Sequence, residues 1–399
     1  MRTPPPSRSC LVAAALVLLL TSPLSLRAEI PAFARRYRVS CRLCHNPIPT
    51  LTAFGDQFAA NGFRMASGEE PSDTTDTGDE LLSLLRDVPL AVRLDLYAQT
   101  YANGRAATDF QSPYALKVLS GGAITKSLSY YFYTFLLERG DIGGVEDAFL
   151  YVNDIGGVPV DAAVGQFQVS DPLFKRELRL EFEDYAVYRA RLGDVPVDLT
   201  YDRGMMVAAD AAGFTATFQL LNGSGIGAAQ PDRHFDVDAS KNVFLHVTRN
   251  IVAPVRLGAF GYYGRSHGNG ATNRTQMLAA DATVSVGPVE VNGQYIHRRD
   301  DEPTYTSGEQ EVRMNGGFAE LILRPENGRW YGFALYNLVT ADRPLLDVRL
   351  GGAAAANRYE TVSGGVGYLL RRNFRLSGEV THDLGPDLTR VTFGVVTAF

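Results

Sequence analysis

The sequence runs to 399 residues, with 38 basic against 44 acidic side chains, 39 glycines, 19 tyrosines, 21 phenylalanines and three cysteines. The acidic balance speaks against a nucleic-acid partner, and so few cysteines exclude a scaffold stapled by disulfides. No apolar run beyond residue 28 reaches the 18 or so residues of a membrane helix, which leaves strands apolar on one face as the way such an aromatic, glycine-rich chain buries its hydrophobic groups.

Residues 1–28 read as a secretory signal. Arg2 and Arg8 precede the apolar run Leu11–Leu20, and Leu26-Arg27-Ala28 offers an imperfect cleavage site. The alternative is an N-terminal membrane anchor, but the run falls short of the roughly 20 residues a bilayer needs. Removing it takes three arginines and no acid, leaving 35 basic residues against 44 acidic, a net charge of −9, and two cysteines.

Residues 29–65 form a compact head around Cys41-Arg42-Leu43-Cys44-His45. Two thiols two residues apart match the two vinyl groups of a haem, and the adjacent His reaches the iron as proximal ligand. One motif means one covalent haem c. Half of a zinc site is the alternative, but zinc takes about four ligands and the head holds no other Cys or His. A redox dithiol would want a βαβ context that is absent. Met65, twenty residues past His45, is the first candidate for the distal ligand or else packs beside Phe63; His246, Met205 and Met206 are its rivals. His234, His267, His297 and His382 read as ordinary surface histidines. Phe33, Phe54, Phe58 and Phe63 wall a haem pocket or pack the head's own core, and Arg35, Arg36 and Arg38 pair with haem propionates or form a solvated basic face. Leu51, Phe54 and Phe58 sit at helical spacing, with Asn61-Gly62 as the stop.

Residues 66–88 read as an acidic linker carrying a short helix, in which Thr77 and Glu80 make a capping box before Leu81, Leu82, Leu84 and Leu85. From 89 to 399 the period becomes two. Arg93, Asp95, Tyr97 and Gln99 alternate with Val92, Leu94, Leu96 and Ala98, and Arg375, Ser377, Glu379 and Thr381 alternate with Leu376, Gly378 and Val380. About 16 strands are expected, starting near 91, 113, 128, 145, 158, 197, 213, 241, 253, 273, 288, 310, 328, 358, 372 and 388. Such a set closes into a mostly β, antiparallel transmembrane barrel with an aqueous lumen. Facing lipid, Arg93 or Arg375 would each cost roughly 2–4 kcal/mol near the midplane, so both should face inward. Residues 172–192 read either as a strand or as a charged loop folded into the pore. The run Asp300-Asp301-Glu302 is the nearest thing to a cation site and otherwise a solvated loop. A soluble β-sandwich or propeller is the alternative to the barrel, though no fixed repeat supports a propeller. Phe399 on an amphipathic strand is similar to the assembly signal of bacterial outer-membrane proteins.

The head resembles one known family. Ala32-Phe33-Ala34-Arg35, Ser40-Cys41-x-x-Cys44-His45, Pro49-x-Leu51-x-x-Phe54-Gly55, Phe58 and Asn61-Gly62-Phe63 are similar to the N-terminal cytochrome of the fused cytochrome–porins, which include outer-membrane iron-oxidising cytochromes. The resemblance covers residues 32–63 motif by motif and the rest only by architecture. It implies a monohaem head seated in the pore of an outer-membrane barrel. Electrons would pass from extracellular Fe(II) to a periplasmic cytochrome or copper protein, with Cys41, Cys44 and His45 as the residues carried over. Outward transfer to an external acceptor, and a transport porin with a structural or sensory haem, stay open as alternatives.

Overall fold

The computed structural model describes residues 32–45, 51–65, 74–75, 78–79, 82, 84–86, 88–102, 108–170, 177–236, 238–252, 254–308, 310–325, 328–348 and 356–399. The signal at 1–28, Pro49 of the head motif and residues 172–176 of the ambiguous stretch lie outside them.

Among the described residues, sixteen strands close into one antiparallel barrel. They are β1 (Leu90–Tyr101), β2 (Asp109–Ala123), β3 (Leu128–Glu138), β4 (Val145–Val152), β5 (Val160–Gln168), β6 (Tyr201–Ala211), β7 (Phe214–Leu221), β8 (Asn242–Val252), β9 (Val255–Gly268), β10 (Ala271–Val286), β11 (Val289–Asp300), β12 (Val312–Leu323), β13 (Trp330–Ala341), β14 (Arg358–Arg371), β15 (Phe374–Asp383) and β16 (Leu388–Ala398). Each pairs with its neighbours in sequence, and β16 closes on β1 with Val395 opposite Leu96. Val92 N–H donates to Phe399 O at 2.7 Å and Phe399 N–H donates back to Val92 O at 2.8 Å. The expected starts hold closely; the largest offsets are β2 and β6, which begin at Asp109 and Tyr201 rather than near 113 and 197.

The period of two decides what faces where. Leu278, Val366 and Phe393 stand 70%, 61% and 62% exposed on the outside, and an apolar exterior of this extent is what a bilayer covers. Arg93, Asp95 and Tyr97 turn inward, as do Arg375 and Glu379, which bond to groups inside the barrel.

The two rims differ. The rim where β1 begins has mostly tight connections: residues 212–213, 253–254, 287–288 and 372–373 are two-residue links, and Gly328 N–H closes the Pro325 turn at 3.1 Å. The opposite rim carries longer connections, whose described residues are 169–170, 177–200, 222–236, 238–241, 342–348 and 356–357. Residues 177–200 fold into the barrel, which settles the ambiguous stretch as an infolded loop over its described part. It contains a helical turn, α3 (Ala186–Arg189), and its side chains are tied round the wall. Arg179 donates to Asp95 of β1 at 2.5 Å, Tyr359 of β14 donates to Glu183 at 2.6 Å, and Arg390 of β16 reaches Glu183 at 2.7 Å. Arg298 of β11, fully buried, donates to Val197 O at 2.8 Å and to Asp300 at 2.6 Å. Tyr185 and Tyr188 are buried against Phe318 of β12.

Residues 32–65 enter from the tight rim. Two helices form there, α1 (Ala32–Tyr37) and α2 (Ala53–Ala60). Phe63 stacks on Tyr131 of β3 with centroids 4.5 Å apart, and the Tyr151 hydroxyl of β4 donates to Ala60 O at 2.6 Å. Gly62, at φ +61°, fits because a Cβ there would come within 2.4 Å of Ser129 Oγ. The linker helix is corrected where it is described: Leu84–Leu85 is extended and pairs antiparallel with Thr74–Thr75. That ladder takes up the backbone groups a helix would have used, and Leu82 closes only a turn onto Asp79 O. Thr77, Glu80 and Leu81 lie outside the described residues.

Candidate functional site

The motif is set by a short 3-10 turn, Cys41–Leu43. Ser40 begins it, with Leu43 N–H donating to Ser40 O at 3.0 Å, and His45 N–H donating to Cys41 O at 2.8 Å. Thr52 then clamps the turn to α2. Its hydroxyl donates to Leu43 O at 2.6 Å and accepts from Gly55 N–H at 3.1 Å, so one residue both caps the helix and fixes the motif. Gly55 is needed for that approach, because a Cβ would stand 2.2 Å from Cys44 O. Leu51 therefore precedes the helix and bridges to His45 rather than lying on the helical face with Phe54 and Phe58.

Both thiols, His45 and Met65 line one cavity of about 270 Å³, just below the roughly 300–1,000 Å³ usual for ligand sites. Phe33, Phe54, Phe58 and Phe63 line it too and also pack on each other, Phe33 stacking on Phe63 at 5.2 Å and meeting Phe58 edge-on at 5.2 Å. The four rings thus line a cavity as well as packing the head's own core. Neither cysteine is in a disulfide. Burial pushes both thiols up, against the pull of a backbone hydrogen bond and Arg372 at Cys41 and with the help of Cys41 at Cys44, so both are protonated at neutral pH.

The barrel supplies the other walls. Ala91 and Ala398 lie at the tight rim, Lys117, Tyr133 and Asp147 further in, and Phe167 and Gln168 at the far end of β5. Met206 of β6 lines the cavity, held by Gln219 Nε2 at 3.9 Å, whereas Met205 faces outward at 49% exposure. His246 does not line it; the imidazole is buried in the β8 wall with Nε2 2.9 Å from Asp281. Arg35, Arg36 and Arg38 do not line it either. His234 and His267 sit in loop contacts with Asp232 and Asp238, and His297 and His382 bond to Asn315 and Thr389. The acidic run is split: Asp300 is fully buried on Arg298 and Thr275, Asp301 takes Arg274 at 2.6 Å, and Glu302 accepts from Gly308 N–H. It is not a solvated loop at Asp300, because β11 carries that carboxylate inside the barrel. Lys117, in a run read only as a strand, was not singled out by the sequence; its inward parity within β2 is the one signal that could have marked it.

No family model and no curated protein matches the chain. Solved structures of similar fold are outer-membrane barrels. The anion-selective porin from Comamonas acidovorans aligns with TM-score 0.57 at 12% identity, covering 78% of this chain and 99% of that one. OmpT, an outer membrane protein of Vibrio cholerae, gives 0.55 at 12%, covering 78% and 99%. The outer membrane channel DcaP of Acinetobacter baumannii gives 0.54 at 10%, covering 78% and 97%. At such identity the likeness is one of fold, a porin-like barrel.

Proposed function

We propose that this chain is an outer-membrane c-type cytochrome that carries electrons across the membrane through one haem, which Cys41 and Cys44 would hold covalently and whose iron His45 and Met65 would ligate. One observation carries the reading: a single cavity is lined by both thiols and the imidazole, and by barrel residues from Ala91 and Ala398 at one rim to Gln168 at the far end of β5. The donors suit the group, since two unpaired thiols and an imidazole on one turn open into an apolar, aromatic-walled space. When bound, the haem supplies a one-electron couple at its iron.

The chain's own residues do the rest. Phe33, Phe54, Phe58 and Phe63 keep water from the cavity. Met65 is the proposed distal ligand because it lines the cavity on the same head segment as the motif, and a Met ligand raises the potential relative to a second His. The infolded residues 177–200 occupy the barrel beyond the cavity, which favours passage of electrons over passage of solutes. Tight turns are periplasmic and long loops extracellular in barrels of this kind, so the head lies toward the periplasm, beside a soluble cytochrome or copper protein as partner. Extracellular Fe(II) is the proposed substrate, by the resemblance to the fused cytochrome–porins; the acidic chain does not repel it. The test is anoxic rapid mixing of oxidised protein with Fe(II), with reduction of the haem band expected. A haem that stays oxidised in excess Fe(II), yet accepts electrons from a periplasmic cytochrome, would put outward transfer in its place.

A further inference from the structure

The cavity holds one cation whose surroundings are incomplete. Lys117 of β2 is 3% exposed and lines the cavity. Its ammonium has three N–H donors. Among the described residues Glu138 and Glu146 line the adjoining pocket with it, the ring of Phe135 lies at 4.3 Å, the ring of Tyr133 at 5.0 Å and the carboxylate of Glu177 at 3.7 Å. That distance is too long for a charge-assisted hydrogen bond, which runs about 2.7–2.9 Å, and Glu177 is already engaged by Arg93. Arg93, which also lines the cavity, is satisfied by Asp95 at 2.7 Å. A buried ammonium whose ion pair is longer than a hydrogen bond still has N–H donors to place, and a closer carboxylate would take them. The cations of the head, Arg35, Arg36 and Arg38, stand off the cavity.

We propose that Lys117 receives a carboxylate of the ligand in this cavity, so that the barrel wall rather than the head anchors a propionate of the haem. This rests on the haem reading above. It makes the site a joint product of two parts of the chain: the head supplies the covalent and axial bonds, and β2 supplies the charge that fixes the far edge of the ring. Lys117 is a positioning residue in this role, and its charge beside the cofactor favours the reduced, less positive state of the iron.

The experiment compares full-length wild type with Lys117→Met, whose side chain keeps the apolar stem over Tyr133 and Phe135. The haem stain on denaturing gels should remain, the midpoint potential should fall, and the propionate bending band in the resonance Raman spectrum should move. Lys117→Arg should restore the potential while moving that band through its forked donors. An unmoved potential and an unmoved propionate band in Lys117→Met overturn the proposal, as does an unmoved band in Lys117→Arg should the Met variant fail to fold. Absence of stain in the wild type would instead remove the haem reading itself.

Discussion

Between β11 and β16 the inner wall of the barrel meets residues 177–200 in bonds from nearly every strand: Arg298 to Val197 O, Asn337 to Asp184 O, Tyr359 and Arg390 to Glu183, and Arg375 to Glu181. Between β1 and β6 the same wall also faces residues 32–65, through the Tyr131 ring and the Tyr151 hydroxyl among others, and a cavity of about 270 Å³ stays between them. Both inner surfaces follow one alternation along their strands. They differ in what they are given to pack against. The infolded loop brings carboxylates and hydroxyls matched to the wall, and so it fills its half. The head brings four phenylalanines, two thiols and an imidazole, and it packs round a gap of ligand size.

That contrast can be broken from either side. The largest effect is expected from replacing Cys41 and Cys44 together by Ala: the haem stain at the mature mass should vanish, while the unboiled barrel still migrates ahead of the boiled one. A stain that persists would sever the thiols from the cavity. Arg298→Ala attacks the filled half. It takes the charge partner from Asp300, leaving it Thr275 and Asn273, and removes the hydrogen bonds to Ala190 O and Val197 O of the loop, at a cost of about 3–5 kcal/mol, to be read from the urea midpoint. Its conductance in a planar bilayer should rise while haem content stays the same. If conductance does not change, the loop is not what closes the barrel.

Acid sharpens the boundary between the two regions. Burial by itself would raise the Glu177 carboxyl, but Arg93, Lys117 and Arg179 hold it down to about 2. A carboxylate held low in the fold contributes stability that is complete above its unfolded value, about 4.5, and is lost as pH falls through about 2. Glu177→Gln should therefore lower the stability at pH 6 and flatten the acid limb of the unfolding curve between those values; an acid limb identical to that of the wild type would deny the cluster its charge. The smallest change is Met65→Ala. Fold and stain should survive, with only the near-infrared sulfur-to-iron band lost and the potential lowered. Retention of the band would pass the distal role to Met206, the other methionine lining the cavity.

The sequence made the strands legible because each strand has only two faces, so Arg93 beside Val92 already says which way both turn. The motif turn was legible because its chemistry is local: Ser40 to His45 closes on itself. Three things were hidden, all for one reason. The infolded loop reads as strand or loop because its partners are on strands far along the chain. Leu84–Leu85 reads as helix because its two-residue partner lies across a turn. Lys117 joins the site only when the barrel curls β2 round the head. Local pattern reports what a residue is next to in sequence, and these owe their surroundings to closure.

The seam of the barrel bears on the order in which the molecule can be assembled. Ala91 and Ala398, which wall the cavity, belong to the two strands that meet there, and Val92 and Phe399 lock them with a reciprocal pair of hydrogen bonds. Until β16 reaches β1 that wall does not exist, and the head's pocket is open on its side to the full width of an unrolled sheet. Afterwards it is shut by backbone bonds. On the haem reading, a group as large as a tetrapyrrole would be loaded before the ring is sealed, and closing the seam would then enclose it.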